Sequence, residues 1–123
     1  MGEDNKDQEI ESIVYEYKLR IPFRCLNRAD LLLREGEIES LRSASCEIVW
    51  LGVYSGSQKI LDAMEKGITV EQVKEATQRI HKAGISVGYF LQFGYPGESH
   101  DDIMQTIRLV IDQQPDDIGI SVS

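Results

Sequence analysis

The sequence predicts an α/β fold of parallel βα repeats, and three observations support this prediction. Apolar runs typical of strands alternate with segments of helical periodicity from residue 18 to residue 123. A helix lies between each pair of strands, so the strands must run parallel with right-handed crossovers. The run 46–53 is almost continuously apolar, as in a strand covered on both faces. About four such units form either a small open sheet or part of a barrel.

In the N-terminal third, the sequence pattern predicts a tail, a helix, a strand and a second helix. Residues 1–7 are polar, and we expect them to be disordered. Residues 8–17 carry apolar side chains at helical spacing, whereas residues 18–26 alternate basic and apolar residues like a strand. Helical periodicity returns over 28–44. We treat 8–123 as a single partial domain, because no linker of proline, glycine and serine divides it.

The middle of the chain predicts one strand and two helices. The strand over 46–53 is followed by a short helix over 58–66, which Gly67 ends as a C-terminal cap. The next helix begins after Thr69, and Gln72 three residues later completes a capping box.

The C-terminal part predicts two further strands around a last helix. Gly84 ends the preceding helix, and a strand follows over 85–93. Ser99 is suited to cap the next helix, and the last strand covers 117–123. The helix carries four apolar residues that we expect to face inward: Ile103, Ile107, Val110 and Ile111.

Composition argues against several classes of protein. Thirteen basic and twenty-one acidic residues give a net charge of −8, which disfavours non-specific binding to nucleic acid or anionic membranes. No run approaches the length of a membrane span. Cys25 and Cys46 form no metal-binding spacing, and no nucleophile–base pair is evident. The sequence therefore predicts no metal site and no catalytic residue of its own, and the unpaired cysteines favour the cytoplasm.

Candidate ligand contacts follow the strands, because parallel α/β folds bind ligands at the carboxyl ends of their strands. The loop "YSGS" (54–57) offers hydroxyls and a helix N-terminus that favours a carboxylate, or it simply caps a helix. In "GYPGES" (94–99) Gly94 and Gly97 permit positive φ, which suits either a plain turn or main-chain contacts to a planar base.

Three cationic residues lie near the same strand ends. Lys66 ends the short helix, where the helix dipole alone would also explain a lysine. Arg24 and Arg28 flank the end of the first strand, where they could bind a carboxylate or pair with surface acids.

Taken in order, these segments resemble one family over residues 18–123. The matching stretches are "NRADLL" (27–32), "GVYSGSQ" (52–58), "LDAMEKGIT" (61–69), "AGI" (83–85) and "GYPGES" (94–99). They resemble the core of radical S-adenosylmethionine (radical SAM) enzymes. The best resemblance is to the cobalamin-dependent-type branch, which includes anaerobic magnesium-protoporphyrin IX monomethyl ester oxidative cyclases and other Fe–S oxidoreductases.

The resemblance implies an incomplete, TIM-like (β/α)₆ barrel, of which this chain holds about four strands. In the family a CxxxCxxC loop holds a [4Fe–4S] cluster that chelates and reductively cleaves S-adenosylmethionine. The sequence has no such motif, so this chain is expected to contribute a cofactor-binding wall, to bind no cofactor alone and to be inactive alone. Cobalamin, if the parent uses it, would occupy a separate domain.

The resemblance also suggests roles for individual residues. Lys66 is similar in position to a basic residue that contacts the methionyl carboxylate, and Arg24 lies one strand earlier on the same rim. Tyr54 and Ser55 occupy positions that contact the methionyl or ribose part. Residues Phe90, Gly94 and Gly97 lie where the family lines ribose and adenine. Tyr54 departs from the family pattern, because it stands where a glutamate is usual.

Two interpretations of the function follow from the resemblance. In the first, the chain is the C-terminal part of a radical SAM oxidoreductase domain, and its partner is the missing half-barrel of a parent that acts on a small molecule. In the second, it is a stand-alone binding or scaffold domain with a degenerate radical SAM fold. An isolated half-barrel would expose strand edges and apolar surface, so we expect self-association, by edge pairing or through inner faces.

Overall fold

The computed structural model of the protein describes residues 26–122. The predicted tail 1–7, the helix 8–17 and all but the last residue of the predicted strand 18–26 lie outside this range. The four strands are β1 (Leu26–Asn27), β2 (Ile48–Tyr54), β3 (Ser86–Phe93) and β4 (Asp117–Val122). The five helices are α1 (Ala29–Leu32), α2 (Glu37–Ser43), α3 (Gln58–Ala63), α4 (Val70–Lys82) and α5 (His100–Gln113).

The strands form one sheet in the order β1-β2-β3-β4, and every neighbouring pair is parallel. This arrangement confirms the predicted α/β fold with consecutive βα units. Since the strands all run the same way, their carboxyl ends meet at one edge of the sheet. We call this edge the rim; it carries the residues after β1, β2, β3 and β4.

The helices cover one face of the sheet. From β2 and β3, alternate residues point into the core beneath the helices: Val49, Leu51, Val53, Val87, Tyr89 and Leu91. The capping box that begins α4 is confirmed, since Thr69 Oγ1 accepts from the Gln72 N–H and Gln72 Oε1 accepts from the Thr69 N–H. The helix then buries Val73, Ala76 and Ile80 against the sheet.

Two predicted helices differ from the structure at positions of positive φ. The helical stretch 28–44 breaks into α1 and α2, because Gly36 adopts φ +85°. The helix predicted over 58–66 ends at Ala63, with Glu65 at φ +56°. Glu65 N–H bonds the Asp62 carbonyl, and Lys66 N–H bonds the Leu61 carbonyl, which is the Schellman pattern of a helix end.

The inward face predicted for α5 is wrong in part. Ile107 and Ile111 are exposed, at 40% and 68% of their surface, whereas Asp102, Thr106 and Leu109 are buried. The prediction from apolar spacing failed because the buried polar residues of α5 pack against the loop after β2. None of the helices within residues 26–122 is long and apolar enough to cross a membrane.

Candidate functional site

The sheet face opposite the helices is lined by aromatic rings that lie over glycines. The Trp50 ring covers Gly88 so closely that a Cβ there would lie 2.5 Å from it. The Tyr54 ring covers Gly52 in the same way, with its hydroxyl 2.8 Å from a Cβ built there. Phe90 is only 6% exposed and packs against Leu26, Trp50 and Tyr54. These contacts form an apolar floor below the rim.

An unusual backbone conformation places Tyr54 on this floor. Tyr54 has φ +66°, and the N–H of Ser55 bonds the carbonyl of Val53 at 2.7 Å, so Tyr54 is the centre of a tight three-residue turn. The register of β2 against β3 shifts just before it, between Gly52 and Tyr54. A positive φ costs a bulky residue on the order of 1–3 kcal/mol, and such strain is often found at functional sites.

Lys66 lies directly on the Tyr54 ring. Its Nζ is 4.0 Å from the ring centroid, and the same ring makes an edge-on contact with Phe90 at 6.1 Å between centroids. The helix end described above fixes the Lys66 backbone. Burial lowers the pKa of Lys66 and raises that of Tyr54. Within residues 26–122 no carboxylate pairs with Lys66, and the Tyr54 ring stabilises its charge.

A cavity of about 180 Å³ opens beside Lys66 at the rim. Its lining is Leu26, Asn27, Arg28, Gly52, Tyr54, Lys66 and Ile68. Arg28 enters from the end of β1, and Asp30 holds its guanidinium through two bonds of 3.0 and 3.1 Å. Gly67 leaves room for it, since a Cβ there would lie 3.1 Å from Arg28 Nη2. Lys66 and Arg28, whose charge Asp30 partly balances, favour an anionic ligand group such as a carboxylate at this cavity.

The loop after β3 is a closed turn at the same rim. Gly94 and Gly97 have φ +86° and +90°, which confirms that both positions use the conformation that favours glycine. The N–H of Gly94 donates to Glu98 Oε1 at 2.8 Å, and the Glu98 N–H donates to the Tyr95 carbonyl at 2.9 Å. The Tyr95 hydroxyl donates to the Ala63 carbonyl, which ties this loop to the end of α3.

One atom of this loop lacks the partner that burial normally requires. Glu98 Oε2 is buried and has no hydrogen-bond partner among the residues that the structure describes. Buried carboxylate oxygens are nearly always satisfied by a donor from protein, water or ligand. Among the described residues, Glu98 Oε2 is therefore a buried acceptor without a donor in the loop after β3.

The structure thus brings Lys66 and Phe90 each into contact with Tyr54, with Gly94 and Gly97 on the neighbouring loop. Arg24 lies outside the described residues, and Arg28 is the arginine found at the cavity. The Ser55 side chain is fully buried and lies 3.3 Å from Thr106 Oγ1. That contact already engages the Ser55 hydroxyl. The predicted contact between the Ser55 side chain and a ligand stays a prediction.

Sequence reasoning also missed residues at the site. Gly52 lies in a stretch quoted for the resemblance, so the motif itself was the available signal, whereas Arg28 was already a candidate carboxylate ligand. Asp102 and Thr106 hold the rim loops from below, and their partners are 45 and 50 residues away along the chain. No local pattern indicates such distant hydrogen bonds.

The resemblance implies two cofactors, and the residues of this chain suit one of them better than the other. The two cations, the aromatic floor and the free Glu98 oxygen suit a ligand with carboxylate, amine and adenosine groups. A [4Fe–4S] cluster needs three cysteine thiolates, whereas the sequence contains only two cysteines. Within residues 26–122 no group of three His, Cys, Asp or Glu side chains could hold a metal ion. The chain therefore fits S-adenosylmethionine and does not fit the cluster.

Comparison with known proteins identifies the family of this chain. Residues 1–110 match the family model of the radical SAM superfamily. A protein of Methanocaldococcus jannaschii, provisionally named a methylthiotransferase, is 25% identical over 116 residues, 94% of this chain and 25% of its own length. The tRNA-2-methylthio-N(6)-dimethylallyladenosine synthase of Moorella thermoacetica is 43% identical over 67 residues, 53% of this chain and 15% of that protein.

A solved structure shows the same architecture. The archaeal Elp3 of Methanocaldococcus infernus, with an N-terminal deletion, superposes with a TM-score of 0.72 at 30% identity, over 80% of this chain and 24% of that one. This likeness agrees with the predicted partial, TIM-like barrel.

The chain spans a quarter or less of the length of these relatives. These relatives are methylthiotransferases and Elp3, not oxidative cyclases, so the branch assigned from the sequence is corrected to the broader family. The family match covers most of the sequence, and the chain belongs to the radical SAM superfamily.

Proposed function

We propose that this chain forms the S-adenosylmethionine-facing wall of a radical SAM catalytic domain in a longer protein. The observation that carries the proposal is the Lys66 ammonium, which lies on the Tyr54 ring beside a cavity that Arg28 also lines and has no carboxylate partner among the described residues. The other half-barrel, with the cluster loop, is the natural partner of this wall. The chain alone is then inactive, because it lacks the cysteines of that loop.

Each end of the cofactor has a suitable set of residues. Lys66 and Arg28 would hold the methionyl carboxylate through charge-assisted hydrogen bonds. The rings of Tyr54 and Phe90 would exclude water beside the sulfonium and ribose. The loop of Gly94 and Gly97 would border the adenine, with Glu98 Oε2 accepting a hydrogen bond from the ligand. The bound cofactor supplies the radical chemistry, and these residues only bind and orient it.

The names of the relatives favour a group-transfer reaction over the oxidoreductase reaction expected from the sequence. The name of the Moorella relative, a tRNA-2-methylthio-N(6)-dimethylallyladenosine synthase, denotes methylthio transfer to tRNA. We propose a reaction of this class for the longer protein. The net charge of −8 opposes direct contact between this chain and a nucleic acid, so a tRNA substrate would contact other segments. For the longer protein we likewise propose a cytoplasmic location and, if it uses cobalamin, a separate domain that binds it.

The second candidate function is a stand-alone domain that binds the cofactor or scaffolds a partner. The observation that favours it is Tyr54 itself, because the ring replaces the charge of the usual glutamate and holds Lys66 by a cation–π contact instead. A domain that had lost catalysis could retain such a preformed cation site.

Calorimetric titration of the chain with S-adenosylmethionine separates the two candidates. The catalytic-wall proposal predicts a dissociation constant of about 1 mM or weaker, since half the site lies elsewhere. Submillimolar binding that Lys66→Met weakens about tenfold or more would favour the stand-alone domain instead. Lys82→Met is the matched control, because Lys82 is exposed and remote from the cavity lining. Binding that ignored Lys66→Met would refute the assigned site in both cases.

A further inference from the structure

Asp102 lies in the first turn of α5 and also contacts a loop outside that helix, the loop after β2. Asp102 is only 3% exposed. Oδ2 accepts from the Ser99 N–H at 2.8 Å and the Asp102 N–H donates to Ser99 Oγ at 3.2 Å, which together form the capping box of α5. Oδ2 also accepts from the Ser99 hydroxyl at 2.9 Å. Oδ1 instead accepts from the hydroxyl of Ser57, in the loop after β2, at 2.8 Å. Lys59 Nζ adds an ion pair at 3.0 Å from its exposed position.

The Ser57 hydroxyl makes a hydrogen bond that is unusual for an N-cap residue. Ser57 is the N-cap residue of α3, yet its side chain makes no capping bond to that helix. N-cap serines ordinarily accept from a backbone N–H one turn into their own helix. Here the hydroxyl donates to Asp102 instead, so the bond joins two loops rather than stabilising α3.

A second link lies one turn further along α5. Thr106 Oγ1 accepts from the N–H of Gly56 at 2.8 Å. A Cβ at Gly56 would lie 2.6 Å from the Thr106 Cα and 2.7 Å from the Gln105 carbonyl oxygen, so the loop rests on the helix backbone itself. The loop after β2 is therefore held by α5, which belongs to the next βα unit.

We propose that Asp102 is a positioning residue that couples loop 54–57 to loop 94–99, so that the two sides of the rim move as one unit. The coupling stands on the geometry of Ser57, Ser99 and Asp102. Its consequence for the cofactor rests on the proposed function. Tyr54 supports Lys66 and lies three residues before Ser57, while Glu98 directly precedes Ser99. One carboxylate thus fixes the spacing between the groups assigned to the two ends of S-adenosylmethionine.

Amide hydrogen exchange on the chain without ligand tests the coupling directly. Ser57→Ala removes one hydroxyl from loop 54–57 and leaves Asp102 bound to Ser99. We expect the amides of loop 94–99 to exchange at least about threefold faster in this variant, although the change lies on the other loop. Ser57→Thr, which restores a hydroxyl, should recover much of the protection. Asp101→Asn is the matched control on the same turn, and it should leave both loops unchanged.

The double variant makes the test specific to this pair. If the two residues act through one bond, Ser57→Ala should add little to exchange in an Asp102→Asn background. Faster exchange confined to residues 54–61 in Ser57→Ala would overturn the proposal, because the loops would then move independently. Should Asp102→Asn fail to fold, Ser57→Ala alone decides. Since no cofactor is present in this experiment, its outcome decides the coupling alone, and the titrations with S-adenosylmethionine and Lys66→Met decide the proposed function separately.

Discussion

At the scale of single residues, Tyr54 and Lys66 define the chemistry of the rim. A glutamate at position 54 would neutralise Lys66, whereas the tyrosine ring stabilises the ammonium and leaves its charge available. The resemblance indicated both positions, but the contact between them depends on the positive φ of Tyr54 and on the helix end at Glu65. Neither feature has a sequence signal, because tyrosine and glutamate rarely adopt that conformation.

Lys66→Met should stabilise the free chain slightly at neutral pH. Burial lowers the pKa of Lys66 in the folded state, so the charged form is disfavoured by folding. That cost is fully present below the folded pKa and disappears as the pH rises past the ordinary lysine pKa. We expect a gain of less than about 1 kcal/mol at neutral pH, because solvent screens a half-exposed ammonium, and a smaller gain near pH 11. Thermal unfolding of Lys66→Met and Lys82→Met measures it; a loss of stability specific to Lys66→Met at neutral pH would contradict the expected sign.

At the scale of elements, the sequence predicted what short-range contacts determine. The capping box at Thr69 and the helix end at Gly84 involve neighbours within a few residues, and both occur as expected. The inward face of α5 was misassigned because tertiary hydrogen bonds outweigh apolar spacing there. Thr106 and Asp102 are buried to hold loop 54–57, which lies about 50 residues earlier.

Gly56→Ala should disturb the packing of α5 on the loop after β2. The added Cβ would overlap main-chain atoms of Thr106 and Gln105, which cannot swing aside like a side chain. We expect a loss of about 2–3 kcal/mol of unfolding free energy. Gly36→Ala is the control: its Cβ meets nothing within 4 Å, so only the positive φ is strained, at about 1 kcal/mol. Equal losses in urea denaturation would show that α5 yields easily at this contact.

At the scale of the whole molecule, the sheet is covered unevenly. The helix side of β4 exposes Ile118, Ile120 and Val122 by 38%, 48% and 74%, and α5 exposes Ile107 and Ile111. Within residues 26–122, β4 has a single neighbouring strand. In a longer protein this surface would be covered by further chain, in keeping with relatives more than three times as long. The repeat and the parallel sheet were predictable, because they follow from alternation alone.

The isolated chain should self-associate through this surface. The edge of β4 has no lysine or proline to block pairing, and its apolar side chains are exposed. Sedimentation velocity at high micromolar concentration should show dimers or larger species, and Ile120→Lys should shift the distribution to monomer. A strictly monomeric wild-type chain would refute this expectation, and association unaffected by Ile120→Lys would direct attention to the opposite sheet face.

The most direct test of the account is an NMR titration of the isotopically labelled chain with S-adenosylmethionine, because chemical shifts detect millimolar binding and locate it. We predict shifts at Arg28, at loop 54–57, at Lys66 and at loop 94–99, with methionine alone reproducing those near Lys66. Lys66→Met should abolish that subset, while Lys82→Met should leave it intact. Shifts absent from the rim, or equal in the wild type and Lys66→Met, would contradict the claim that this rim is the cofactor-facing wall.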